Sequence, residues 1–204
     1  GEHREQPLFP TRTLILGQDA LHDEWRDWLE WASRNRLNDI FFHDTPPSRP
    51  GRTGPRLATA GELAADGGGW LFERWRADGP AIVAMARERG MTIQFGGHHL
   101  PGLVPRSHFE AHPEWFPLRG GQRDARYNLC VSSEGALDCL RTGAREFVGA
   151  HPAADVYHFW ADDIRGGGWC ECPGCAHLTP SDQALTATNV VAEALAGSGV
   201  RVAH

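Results

Sequence analysis

Short apolar runs rich in β-branched and aromatic residues alternate along the chain with stretches whose apolar positions recur at helical spacing. Thr13 to Gly17 (TLILG) reads as a first strand. Leu21 to Arg34 follows as a helix, with Asp19 as its N-cap and Leu21, Trp25, Trp28, Leu29 and Ala32 at helical spacing. Those tryptophans are expected to pack the helix onto a sheet. Asp39 to Asp44 (DIFFHD) is a second strand. Thr45 to Gly69 is rich in Pro, Gly and Arg, a long loop with one short helical turn near Ala60 to Ala65 and a hinge at Gly67 to Gly69. A helix resumes from Leu71 to Arg89, interrupted near Gly79-Pro80, and Met91 to Gly97 (MTIQFGG) is a third strand. His98 to Ser133 reads as irregular, with two Pro-containing turns. Glu134 to Gly149 is a helix, Asp155 to Asp162 (DVYHFWAD) a fourth strand, Ser181 to Ala196 a helix capped by Ser181, and Val200 to Ala203 a fifth strand.

Strands alternating with helices imply parallel βαβ units. The long loops all follow strands, at the C-terminal strand ends, which is where a (β/α) barrel carries its active site. A doubly wound open sheet is the rival, but no GxGxxG follows the first strand. The expected fold is therefore α/β, of the (β/α)₈ TIM-barrel type, with the first five β/α units present. A full barrel takes about 250 residues. The 204 residues here, much of them in loops, thus read as one barrel domain truncated at its C-terminus. The uncovered sheet edge would favour a homo-oligomer.

Composition narrows the class. Hydrophobic residues make up 41% of the chain, too many for a disordered segment, and no run approaches the roughly 20 apolar residues of a membrane span. The opening GEHREQPLFP lacks a signal pattern, so a soluble protein is expected, with the cytoplasm favoured over secretion. A formal net charge of -6 speaks against a nucleic-acid surface. All 20 basic residues are Arg, for which coding bias is the plain explanation; its consequence is that lysine-dependent catalysis is unavailable. The five cysteines are an odd number, and three crowd into Cys170, Cys172 and Cys175.

Polar residues gather at the strand ends: His43-Asp44, His98-His99 and Asp162-Asp163. Adjacent carboxylates often sit on a solvated loop. This pair, however, follows the apolar run VYHFWA and precedes a glycine-rich turn, so burial is expected. Two acids in a low-dielectric pocket cannot both ionise freely, and one becomes a general acid near neutrality. Of His98 and His99, one imidazole should face the pocket while the other packs. Trp115, Phe116, Trp160 and Trp169 lie near the same loops. Indoles beside carboxylates suit a sugar, although Trp160, within a strand, fits core packing better. The cluster Cys170-x-Cys172-x-x-Cys175-x-His177 offers four zinc ligands on one loop; a disulfide or free thiols are the alternatives. A site of that kind would be structural.

Four segments taken in order carry a family resemblance: FGGHHL (Phe95 to Leu100), HPEWFPLRGGQR (His112 to Arg123), NLCVSS (Asn128 to Ser133) and WADDIRGGGWCECPGC (Trp160 to Cys175). Together they resemble the central region of a bacterial family of glycoside-hydrolase-like barrels known mainly as a domain of unknown function. The wider similarity is to α-glucuronidases and to β-N-acetylhexosaminidases and O-GlcNAcases. In the latter, an acidic pair closes the fourth strand, one residue as proton donor and the other orienting the acetamido group of the substrate. The resemblance thus implies a glycoside hydrolase acting on an oligosaccharide or glycoside, with Asp163 as donor and Asp162 as orienting carboxylate. His98, His112, Glu114, Arg123 and Asn128 would line or brace the sugar pocket, with His99, Trp115 and Trp169 also near the substrate. No cofactor is then needed for catalysis, and zinc at the cysteines would be structural. A non-catalytic carbohydrate-binding barrel and a metal-dependent hydrolase using the strand-end His and Asp residues are the competing expectations.

Overall fold

The structure is a computed structural model that describes residues 7–16, 24–44, 70–150, 154–162 and 166–203. Five strands form one parallel sheet: β1 (Thr13–Leu16), β2 (Asp39–Asp44), β3 (Thr92–Gly97), β6 (Val156–Phe159) and β7 (Arg201–Ala203), in the order β1-β2-β3-β6-β7. Spatial order follows chain order and every pairing is parallel, as in successive strands of a barrel. Among the described residues, four helices connect them: α1 (Trp25–Arg34), α2 (Trp70–Glu88), α3 (Glu134–Ala150) and α4 (Pro180–Ala194).

Side chains alternate across the strands. Ile40, Phe42, Ile93, Phe95, Tyr157 and Phe159 are buried on the helix side, where Trp75 packs on Phe42 and Phe95, and Phe147 on Phe95 and Phe159. Trp25 and Leu29 of α1 join the same core, as their spacing predicts. Polar staples hold the N-terminal strand ends. The Asp155 carboxylate accepts from the Ile93 amide at 2.8 Å and from Arg87 at 2.7 Å, and Asn38 bridges Arg12 and Thr92. Gly96 has φ +131°, and a Cβ there would lie 2.2 Å from the His158 carbonyl oxygen, so β3 and β6 meet closely only because this position has no side chain.

Several local expectations are corrected. α2 runs through Gly79-Pro80 unbroken. An interior proline costs about 3 kcal/mol, but burying Trp75, Ile82 and Ala86 outweighs it, at about 1.5–3 kcal/mol per large side chain. α4 is capped by Thr179 and not by Ser181: Thr179 and Asp182 form a reciprocal capping box with Pro180 in the first turn. The stretch read as irregular holds an antiparallel hairpin, β4 (Leu118–Arg119) and β5 (Gln122–Arg123), turned by Gly120-Gly121. β6 ends at Phe159, three residues before the expected end. Asp19, Leu21 and the 45–69 loop with its helical turn and hinge lie outside the described residues. Among the described residues, no helix is long and apolar enough to cross a membrane.

Candidate active site

The sheet face turned away from the helices is polar and half open. Its lower row is a hydrogen-bonded chain in which the His158 Nε2 lies 2.6 Å from the Gln94 Oε1 and the Gln94 amide donates to the Asp39 carboxylate. With its NH₂ committed to Asp39, the Gln94 amide presents oxygen to His158, so His158 carries its proton on Nε2. Burial, with the His43 charge in second place, pushes the His158 pKa down to about 4. This imidazole is therefore neutral at pH 7. Above it, Phe41 stacks on His158 at 4.1 Å, and Trp160 meets His43 at 5.0 Å and His98 at 5.3 Å. Trp160 is thus on the site face, half-buried among imidazoles, and outside the core.

At the strand ends, the His98 Nδ1 lies 2.5 Å from the Ala161 carbonyl oxygen. A carbonyl only accepts, so Nδ1 holds a proton and donates it there, and Nε2 is the nitrogen left for another partner. Asp162, two residues beyond Trp160, is half-buried, and desolvation raises its carboxyl from 3.8 to about 6 against the opposing charges of Arg106 and His98. Asn128, fully buried, clamps this turn: its Oδ1 accepts from the Asp162 amide at 3.1 Å, and its Nδ2 donates to the Gly167 carbonyl. Arg106 in turn donates to the Asn128 carbonyl at 3.2 Å. Asp163 lies outside the described residues.

The other expected site residues divide. His99 is buried on the opposite side, against Phe147, so only His98 of the pair faces the site. His112 stacks on Trp115 at 4.2 Å and contacts Glu114 at 3.3 Å, in one half-exposed group. Gly135 makes room for that indole, since a Cβ would lie 2.4 Å from the Trp115 Nε1. Arg123 braces the hairpin through one nitrogen, its Nη1 donating to the carbonyls of Phe116 and Glu114 and lying 3.7 Å from the Cys170 sulfur. Trp169 is buried in the core, 5% exposed, and presents no face to a sugar.

The thiols also regroup. Cys130, Cys170, Cys172 and Cys175 are all buried, with their sulfurs within 4.8 Å of one another. His177, the expected fourth ligand, is exposed and outside this group; Cys130 takes its place. Hydrogen bonds from Cys170, Ser132 and Arg123 pull the Cys130 pKa down to about 4 against its burial, while Cys170 is pushed up. The residues not anticipated are Asp39, Gln94, His158 and Arg106, together with Cys130 as a cluster member. Alternation along DIFFHD, TIQFGG and VYHF was the available signal for the first three, and NLCVSS contained the last.

A family model described as Domain of unknown function (DUF4838) matches residues 5–198. The chain belongs to this family. The DUF4838 match reaches well beyond the half of the chain that carries the four quoted segments. In fold, the chain is similar to TIM-barrel glycoside hydrolases. The GH20 exo-β-N-acetylglucosaminidase of Vibrio harveyi superposes with a TM-score of 0.54 at 15% identity, over 97% of this chain and 35% of that one. A β-N-acetylhexosaminidase from Bacteroides fragilis gives 0.54 at 17% identity, over 94% and 41%. An α-galactosidase from Lactobacillus brevis gives 0.52 at 11% identity, over 94% and 26%. The chain thus spans well under half the length of these three enzymes. No curated protein matches the chain.

Proposed function

We propose that this chain carries the acid centre of a glycoside hydrolase acting on an oligosaccharide or simple glycoside, with Asp162 and Asp163 as its working carboxyls. The observation that carries this reading is Asp162. It is a half-buried carboxyl raised to about 6 at the C-terminal end of a central parallel strand, beside the Trp160 indole and the His98 imidazole. That strand end is where (β/α) barrels work, and an indole beside hydrogen-bonding groups suits a sugar ring. The likeness in fold to enzymes that act on sugars supports the same choice.

In its substrate-assisted form the substrate is a 2-acetamido sugar. The acetamido carbonyl oxygen bonds to the anomeric carbon as the glycosidic bond breaks, and Asp163 gives its proton to the departing oxygen. Asp162, ionised, accepts from the acetamido N–H and balances the positive charge that develops on the new ring. Water then adds at the anomeric carbon, returns a proton to Asp163 and reopens the ring. His98 offers Nε2 to a sugar hydroxyl, Asn128 holds the turn, and His112, Glu114 and Trp115 stand at the rim. These steps use carboxyls and water and call for no cofactor.

The test is turnover of 4-nitrophenyl N-acetyl-β-glucosaminide, with the α-galactoside beside it. Asp163→Asn should lower kcat by roughly 10²–10⁴, and a thiazoline inhibitor should bind; full activity in that variant refutes the assignment. Cleavage of the α-galactoside alone would replace substrate assistance with a two-carboxylate route. Sugar-dependent quenching of tryptophan fluorescence without any turnover would reduce the chain to a binding module.

A further inference from the structure

The acid centre makes no use of the four buried thiols, and their geometry is specific. Cys130 comes from the segment that leads into α3, and Cys170, Cys172 and Cys175 from the loop after β6. The Cys130 sulfur lies 3.5 Å from that of Cys170, 3.6 Å from that of Cys172 and 3.9 Å from that of Cys175. A disulfide requires about 2.05 Å, and all five cysteines are free thiols. Four sulfurs at the corners of a tetrahedron around zinc, each at about 2.3 Å, stand about 3.8 Å apart. These separations fit one ion and leave no room for a sulfide-bridged cluster.

The surroundings suit thiolates. The amides of Leu118 and Cys172 donate to the Cys170 sulfur at 3.3 and 3.5 Å, and Arg123 sets a positive charge 3.7 Å from it. The Cys172-Pro173-Gly174-Cys175 turn is closed by the amides of Cys175 and Ala176, both bonded to the Cys172 carbonyl at 2.8 Å. Gly174 allows that closure, since a Cβ there would press on the Ser132 hydroxyl at 2.7 Å. Gln183 of α4 fixes the loop from behind by exchanging two hydrogen bonds with the Cys170 backbone.

We propose that Cys130, Cys170, Cys172 and Cys175 bind one zinc ion as a closed tetrathiolate site, tying the segment that leads into α3 to the loop after β6. With four protein ligands the site has no open position, so its role is structural. It anchors the stretch that begins at Asn128, the residue that clamps Asp162. The proposal does not depend on the glycosidase reading, because its readouts are metal content and spectra.

Purified protein should contain one equivalent of zinc by elemental analysis, released by a mercurial thiol reagent. Exchange with cobalt(II) should give the intense visible bands and thiolate charge-transfer absorption of a four-sulfur tetrahedral site. His177→Ala should keep both the zinc and that spectrum. Cys130→Ser should weaken zinc binding by more than the roughly 100-fold that changes behind a ligand produce. Should Cys130→Ser fail to fold, the cobalt spectrum of the parent and of His177→Ala still decides the ligand set. Absence of metal with five reactive thiols, a disulfide within the cluster, iron in place of zinc, or loss of the spectrum in His177→Ala would each overturn the proposal.

Discussion

Replacing Asp162 with Asn isolates what it costs to hold a charge at the end of β6. The carboxyl is raised from 3.8 to about 6, first by burial and against the charges of Arg106 and His98. A raised pKa means that the folded chain holds this proton more tightly than the unfolded one. Stability therefore falls as pH climbs from about 4 to about 6 and stays lower above that. Two units correspond to about 3 kcal/mol, an upper figure because water that relaxes around the ionised group returns part of it. Asn keeps the shape of Asp without the charge, and the Asp162 amide bond to Asn128 is untouched by the exchange. Asp162→Asn should therefore be about 1–3 kcal/mol more stable than the parent at pH 7.5, with the gap closing below about pH 4. Urea unfolding at the two pH values, followed by tryptophan fluorescence, measures this as a shift in midpoint at constant slope. An equal gap at both pH values would mean that something other than ionisation is at work, and a variant less stable at pH 7.5 would refute the argument outright.

The same carboxyl sets a rate prediction: if Asp162 must be ionised to hold the acetamido group, kcat should fall on the acid side with a midpoint near 6, and Asp162→Asn should abolish that limb while lowering the rate. An acid limb that survives unchanged removes Asp162 from it. Asn128→Ala strips the partners from the Asp162 amide and the Gly167 carbonyl in a buried setting and should cost about 2–4 kcal/mol in thermal or urea unfolding; a loss below about 0.5 kcal/mol would show that the clamp is ornamental. Gly96→Ala forces a methyl group against the His158 carbonyl and should cost more than about 4 kcal/mol or prevent folding, read from soluble yield and melting temperature. Thr179→Ala should cost about 1 kcal/mol and Ser181→Ala next to nothing, which reverses the ranking expected if Ser181 were the cap.

The strand and helix order was legible because both periodicities are strong: DIFFHD and TIQFGG place Ile40, Phe42, Ile93 and Phe95 on the helix side, and the helices repeat their apolar residues every three or four positions. What the chain did not disclose were contacts that local pattern does not encode. Thr179-Pro180-Ser181-Asp182 contains two candidate caps, and the one that also completes a reciprocal bond with Asp182 is the one used. Pro80 looked like a break because local cost was visible and the burial of its neighbours was not. His177 was chosen as a ligand because it is near in sequence, whereas the thiol that joins the cluster lies 40 residues before Cys170 and arrives there through the fold. Trp160 and Trp169 exchanged roles for a related reason. One stands just past the end of β6 on the polar face, and the other follows the glycine turn that folds it back into the core.

The polar face also explains how a costly carboxyl can be kept in one place. Asp39, Gln94 and His158 form a row in which each bond that the structure shows has a defined donor and acceptor, and the row ends in an imidazole that is neutral at pH 7. A charged His158 would put a cation on the face that also holds the His43 and His98 rings, and its ring neighbours Phe41 and Trp160 offer it no counter-charge. At Asp162 the charges of Arg106 and His98 oppose burial, and burial prevails. Arg106 meanwhile directs two of its nitrogens to the carbonyls of Pro101 and Asn128, so it fixes the backbone beneath Asp162 while its charge works to lower the carboxyl's pKa. Stability is given up at one carboxyl and restored by the hydrogen bonds of its supports. That is the arrangement expected where a group is held for its chemistry and not for the fold.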